Sequence, residues 1–137
     1  MRARLKKVAV TVLIGGSLIA ASSGAGQDSG LTVEQIMKAI IAPMTGTLWG
    51  AYEIQTPAQW QELENAALTV VAAGSLLNGT GPNAANEDWQ EYSQQMIVAA
   101  RAALAAIAEQ DEEALFNAGN DQLYPPCESC HQRYMPQ

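Results

Sequence analysis

The stretch TPAQWQELENAALTVVAAGSLLNG, residues 56–79, sets the tightest limit on what this chain can fold into. Trp60, Leu63, Ala67, Val70, Gly74 and Leu77 recur at alternating spacings of three and four. That period places them in one seam along a helix; a strand would expose every second residue instead. Such a seam buries against neighbouring helices that cross at a shallow angle. Local chemistry sets the ends. Thr56 is placed to cap, Pro57 suits the first helical position where no amide hydrogen is needed, and Gln59 follows the cap by three. Asn78 and Gly79 are stop signals.

Three more segments carry helical period, and strand-like alternation of any length is missing from the sequence. In LTVEQIMKAIIAPM, Thr32 and Gln35 have capping-box spacing, and Val33, Ile36, Met37, Ile40 and Ile41 form an apolar stripe. Pro43 is expected to end or kink this helix, leaving 45–55 as a turn or a broken continuation. A third helix is expected from about Glu87 to Gln110, with Trp89, Tyr92, Met96, Ala99, Ala100, Ala103, Leu104 and Ile107 as its stripe. A fourth opens at Asp111 as N-cap, with Glu112 and Glu113 in the first turn where the helix dipole favours them. Leu115, Phe116 and Ala118 start its apolar face. Pro125–Pro126 is expected to interrupt it, with CESCH opening a new helical turn. Four helices with mostly short connections predict an all-α, antiparallel four-helix bundle.

The chain has 137 residues, which suggests one domain. Its opening MRARLKK holds four of the seven basic residues and runs into the apolar VAVTVLIGGSLIAA, then SSGAG. This is the pattern of a Sec-type signal peptide, and the apolar run is short for a span of about 20 residues. The expected division is a signal peptide over 1–25, cut after Ala25 with Ala21 as the rival site, and a single helical bundle domain over 26–137. No cysteine lies near the cut, which excludes a lipoprotein. The expected location is the bacterial periplasm, with no membrane span in the mature form. All 14 acidic residues but only Lys38, Arg101 and Arg133 lie in the mature part, a net charge of −11. So acidic a surface repels nucleic acid and anionic membranes and would steer toward a basic partner.

The only cysteines, Cys127 and Cys130, and the only histidine, His131, fall within five consecutive residues, CESCH. A thioredoxin-like redox pair would sit at a helix start after a strand, and no strand pattern is present. A structural zinc site needs four ligands, and the chain offers three. C-x-x-C-H is also the attachment signature of covalent haem. Two thiols one helical turn apart can reach both haem vinyl groups, and the next residue then sets its imidazole under the iron. The expectation is one haem c per chain, held by thioethers to Cys127 and Cys130, with His131 as the proximal iron ligand. No second histidine exists for the opposite side. The sulfur candidates are Met37, Met44, Met96 and Met135, any of which can equally be core filler. Trp49, Trp60, Trp89 and Phe116 are candidates for lining a haem pocket or for plain core.

The order of elements, with CxxCH on the last helix in AGNDQLYPPCESCHQRY, resembles the cytochrome c′ family, including its low-spin c556-type members. The resemblance covers roughly residues 31–135. It implies an exported four-helix bundle, not an enzyme, acting in electron transfer with a redox partner protein. The c556-type members supply a methionine from the first helix in a stretch similar to Gln-x-x-Met-Lys. The chain reads EQIMK at 34–38, so the resemblance implies Met37 as the distal iron ligand. High-spin members leave that side open, which implies the alternative of a five-coordinate protein binding NO or CO. Relatives pair through their first two helices, so a homodimer is implied as well, with Gly74 and the alanines permitting close contact.

Overall fold

A computed structural model describes residues 30–135. The expected signal peptide, 1–25, lies outside these residues. Among the described residues every regular element is helical, which agrees with the all-α expectation. Four helices result: α1 over 33–49, α2 over Pro57–Asn78, α3 over Glu87–Ala108 and α4 over 112–134. No helix among the described residues is long and apolar enough to cross a membrane.

The helix starts follow from capping chemistry. Thr32 accepts from the Gln35 amide at 3.2 Å while the Gln35 side chain accepts from the Thr32 amide at 2.9 Å. Thr56 and Gln59 repeat this capping box, with Pro57 at the first helical position. At α4 the Asp111 carboxylate accepts from the Ala114 amide at 2.9 Å. Each cap satisfies amide hydrogens that the first helical turn leaves without partners.

Of the two outcomes expected at Pro43, a helix end or a distorted continuation, the structure shows the second, and the interruption expected at Pro125–Pro126 needs correction. Pro43 does not end α1. The helix runs through it to Trp49, because Met37–Ile41 opens into a wide π turn in which the Ala42 amide donates to the Met37 carbonyl, five residues back. Pro125–Pro126 does not interrupt α4 either. There Ala118–Leu123 is the wide turn, and the Tyr124 amide donates to the Gly119 carbonyl. In both helices a proline is the second residue past the wide turn. Proline lacks an amide hydrogen, and its ring clashes with the carbonyl four residues back. Adding one residue to the preceding turn relieves that clash without breaking the helix.

The seam read from α2 is buried apart from the half-buried Trp60. It packs mainly on α3, whose Trp89, Met96, Ala99, Ala100, Ala103 and Ile107 are buried. Ile36, Val70 and Leu123 are the largest fully buried side chains. Each such aliphatic side chain contributes about 1.5–3 kcal/mol by leaving water. Gly74 lies inside this packing. A Cβ built there would meet Ile97 Cγ1 at 2.7 Å and Met96 Cε at 3.1 Å. Its small size therefore serves the α2–α3 contact within the chain, not the dimer contact that the sequence suggested. Phe116, read as part of the α4 core face, is 52% exposed. The buried face is Leu115, Ala118, Gly119 and Leu123, and Phe116 points away from it.

Two groups of contacts fix which chain segments meet. Val33 lies where a Cβ on Gly81 would come within 2.6 Å of its Cγ2. Trp89 Nε1 donates to the Leu77 carbonyl at 2.8 Å, and the Trp89 ring meets Tyr134 edge-on at 5.1 Å. At the other end of α1, Trp49 Nε1 donates to the Gly119 carbonyl at 3.0 Å, and its ring meets Tyr124 edge-on at 6.3 Å.

Candidate functional site

CESCH lies on the continuous helical segment Tyr124–Tyr134. Leu123, Pro126 and Cys130 are buried, and Tyr134 is half-buried against Trp89. These positions recur every three or four residues and form the stripe turned to α3. Cys127 is half-buried and His131 exposed. The two are four residues apart and share a flank beside that stripe. Tyr124 marks where this flank faces, since its ring meets Trp49 of α1. His131 is seven residues further on, about two turns, and so returns to the same side. The structure thus brings Cys127, Cys130 and His131 together on one helix. The imidazole is exposed, and the Cys130 thiol is buried in the stripe turned to α3.

Both cysteines are free thiols. Burial, and then the neighbouring Cys130, push the Cys127 thiol up to about 11. Burial also raises Cys130 above its ordinary value. Neither resembles the low-pKa thiolate of a catalytic redox cysteine, which needs an electropositive, partly exposed setting. No group of three or more His, Cys, Asp or Glu among the described residues is arranged to hold a metal ion.

The four methionines among the described residues fall into distinct settings. Met96 is buried beside Gly74. Met135 is 60% exposed just past the end of α4. Met37 and Met44 are half-buried on α1. Met37 is the first residue of the wide turn, and its carbonyl takes the five-residue hydrogen bond. The two halves of α1 have different neighbours. Ala42–Trp49 packs on α2 and on the Ala118–Leu123 turn, whereas 33–41 packs on α2 with no comparable packing on Tyr124–Tyr134. The structure therefore does not put Met37 in the packing of the CESCH segment.

Of the tryptophans, Trp89 is buried core, while Trp49 and Trp60 are half-buried. Trp60 lines a cavity of about 210 Å³ with Pro57, Leu104 and Ile107, away from CESCH. Two of the three basic side chains among the described residues are paired. Lys38 Nζ lies 2.6 Å from Glu34 Oε1, and Arg133 Nη2 lies 2.7 Å from Asp88 Oδ2. The Tyr134 hydroxyl and then Asp88 raise the Arg133 guanidinium further, yet that buried hydroxyl makes no hydrogen bond of good geometry. The Asn78 Oδ1 atom is buried without a partner too. Sequence reading missed the Trp49–Gly119 bond. Its only trace was a glycine inside a helical pattern, a place where another group often approaches closely.

No family model, curated protein or solved structure matches this chain.

Proposed function

We propose that the chain is an exported c-type cytochrome that carries one covalent haem and transfers electrons in the periplasm. The observation that carries this reading is the donor set on α4: two free, neutral thiols about one turn apart with an imidazole immediately after the second. That set suits haem c. It is one ligand short for structural zinc, and its raised thiol values disfavour disulfide exchange. Cys127 and Cys130 would hold the haem as thioethers and His131 would hold its iron.

Met37 is the ligand we infer for the opposite side, from its level along the bundle. Trp49 is tied to Gly119, and the contacts of Val33 at Gly81 and of Trp89 at Leu77 and Tyr134 favour helices that alternate in direction. In such an antiparallel pair, Met37 lies twelve residues back from Trp49 and His131 twelve residues on from Gly119. At about 1.5 Å per residue both positions would lie at one level of the bundle. This is also where α1 and α4 lose the packing they share at the Trp49 end. A flat cofactor between the two helices would take up that space. Haem held by histidine and methionine supplies a one-electron iron couple with a raised potential. The acidic surface suits a basic redox partner.

The test is the visible spectrum of the purified, reduced protein with and without CO. A low-spin spectrum unmoved by CO is expected, and Met37→Ala should turn it high-spin and CO-responsive. A wild-type spectrum that is high-spin and shifts at once with CO would replace electron transfer by the five-coordinate, gas-binding reading.

A further inference from the structure

We propose that the wide turn Met37–Ile41 is a one-residue insertion that sets the rotational register of Met37, with Pro43 keeping it open. The inference rests on the reading that Met37 meets the haem iron, and it concerns how this chain aims that side chain. An α-helix has about 3.6 residues per turn, or about 100° per residue. Met37 is twelve residues from Trp49, which in a regular helix leaves it about 120° around from the Trp49 side chain. Trp49 marks the side of α1 that faces α4, through its bond to Gly119 and its ring contact with Tyr124. A regular α1 would therefore aim Met37 well off the α4 side.

The observed helix is not regular. The Ala42 amide reaches back five residues to the Met37 carbonyl, so one residue between them is surplus to the α-helical count. Eleven effective residues are close to three whole turns, within about 20°. Met37 then returns to the side of Trp49, facing α4 at the level of His131. Pro43 supplies the reason the turn stays wide. In a regular α-helix its ring would press on the Ala39 carbonyl, which would have no amide partner. The turn is also local. Core positions on both sides of it, Ile36 and Leu48, are buried. Segment Tyr124–Tyr134 has no such surplus between Tyr124 and His131, so His131 keeps the Tyr124 side by ordinary counting.

Deletions separate this account from a merely structural role. Removing the exposed Ala39 together with Pro43→Ala takes out the surplus residue and the ring that demands it. The helix should become regular with Met37 still facing α4, so the haem-loaded variant should keep its low-spin, CO-insensitive spectrum. Removing Gly46, whose surroundings are open, shifts Met37 by about 100°. That variant should lose the low-spin spectrum, or lose helical content by circular dichroism because Ile36 and Ile41 turn with it. Low-spin ligation that survives the Gly46 deletion, or that vanishes in a folded Ala39-deleted Pro43→Ala variant, overturns the register account. Failure of the Ala39-deleted variant to fold overturns it as well, since removing a surplus residue should restore a regular helix. Met37→Ala reads the underlying ligation separately: if its spectrum stays low-spin, the ligand assignment itself fails, and the register account falls with it.

Discussion

Trp49 Nε1 donates to the Gly119 carbonyl at 3.0 Å, across 70 positions of sequence, and that carbonyl also accepts the Tyr124 amide of the wide turn in α4. One indole thus clamps the end of the first helix to the broken turn of the last. Trp49→Phe keeps most of the ring but removes the donor. The carbonyl keeps its backbone partner, so the loss should be that of one hydrogen bond, about 1 kcal/mol. Urea unfolding should show a lower midpoint with an unchanged slope. An unchanged midpoint would mean that the clamp contributes nothing.

Gly74 gives a sharper stability test. Gly74→Ala places a methyl 2.7 Å from Ile97 Cγ1, so α2 and α3 must move apart or Ile97 must leave its rotamer. Overpacking of this kind costs about 1–3 kcal/mol. Alanine recovers about 1 kcal/mol through its better helix propensity. A net loss of about 1 kcal/mol is expected in chemical denaturation. A more stable variant would contradict the close α2–α3 contact.

Much of this fold was legible because its signals are local. Thr32 with Gln35, Thr56 with Gln59, and Asp111 each cap a helix from within four residues, and the sequence states the cap directly. The α2 seam was legible because 22 regular residues repeat one period. The prolines misled for a physical reason. The interruption expected at Pro125–Pro126, and the helix end that was one of two outcomes at Pro43, assume a preceding turn of fixed width, and one extra residue in that turn removes the clash. Phe116 was misplaced because adjacent apolar residues differ by about 100° and only one of them can face the core. The CESCH group was legible because its members are contiguous. The Trp49–Gly119 bond was not, since pairing across 70 positions leaves no periodic mark.

The thiols make a pH prediction for the chain without haem. Cys127 keeps its proton up to about 11 in the folded state, against an ordinary 9.0. At pH 8 its thiolate fraction, and hence its alkylation rate by iodoacetamide, should be about 100-fold below that of the unfolded chain. The raised value also sets the sign for stability. Above pH 9 the unfolded chain releases a proton that the folded chain retains. Stability should therefore be intact below pH 9 and fall between pH 9 and 11. Thermal melts across that range check it, and a flat profile would contradict the burial of Cys127. Once the sulfur is in a thioether the slope should vanish.

The Arg133–Asp88 pair should matter little, although its N–O distance is only 2.7 Å. The two side chains are 58% and 40% exposed, so solvent and salt screen the attraction. Asp88→Asn should leave the urea unfolding midpoint nearly unchanged. A clearly lower midpoint would show that the pair does more than sit on the surface.

In the proposed function Cys127, Cys130 and His131 form a haem-attachment unit. Its most direct test is intact mass and thiol titration of the protein expressed with a c-type haem maturation system. The expected result is a mass increase of one haem that survives denaturation, with no free thiol remaining. Cys127→Ala and Cys130→Ala should each weaken or abolish the covalent attachment. A chain of unmodified mass with two titratable thiols, made where a control c-type cytochrome is fully loaded, would contradict it.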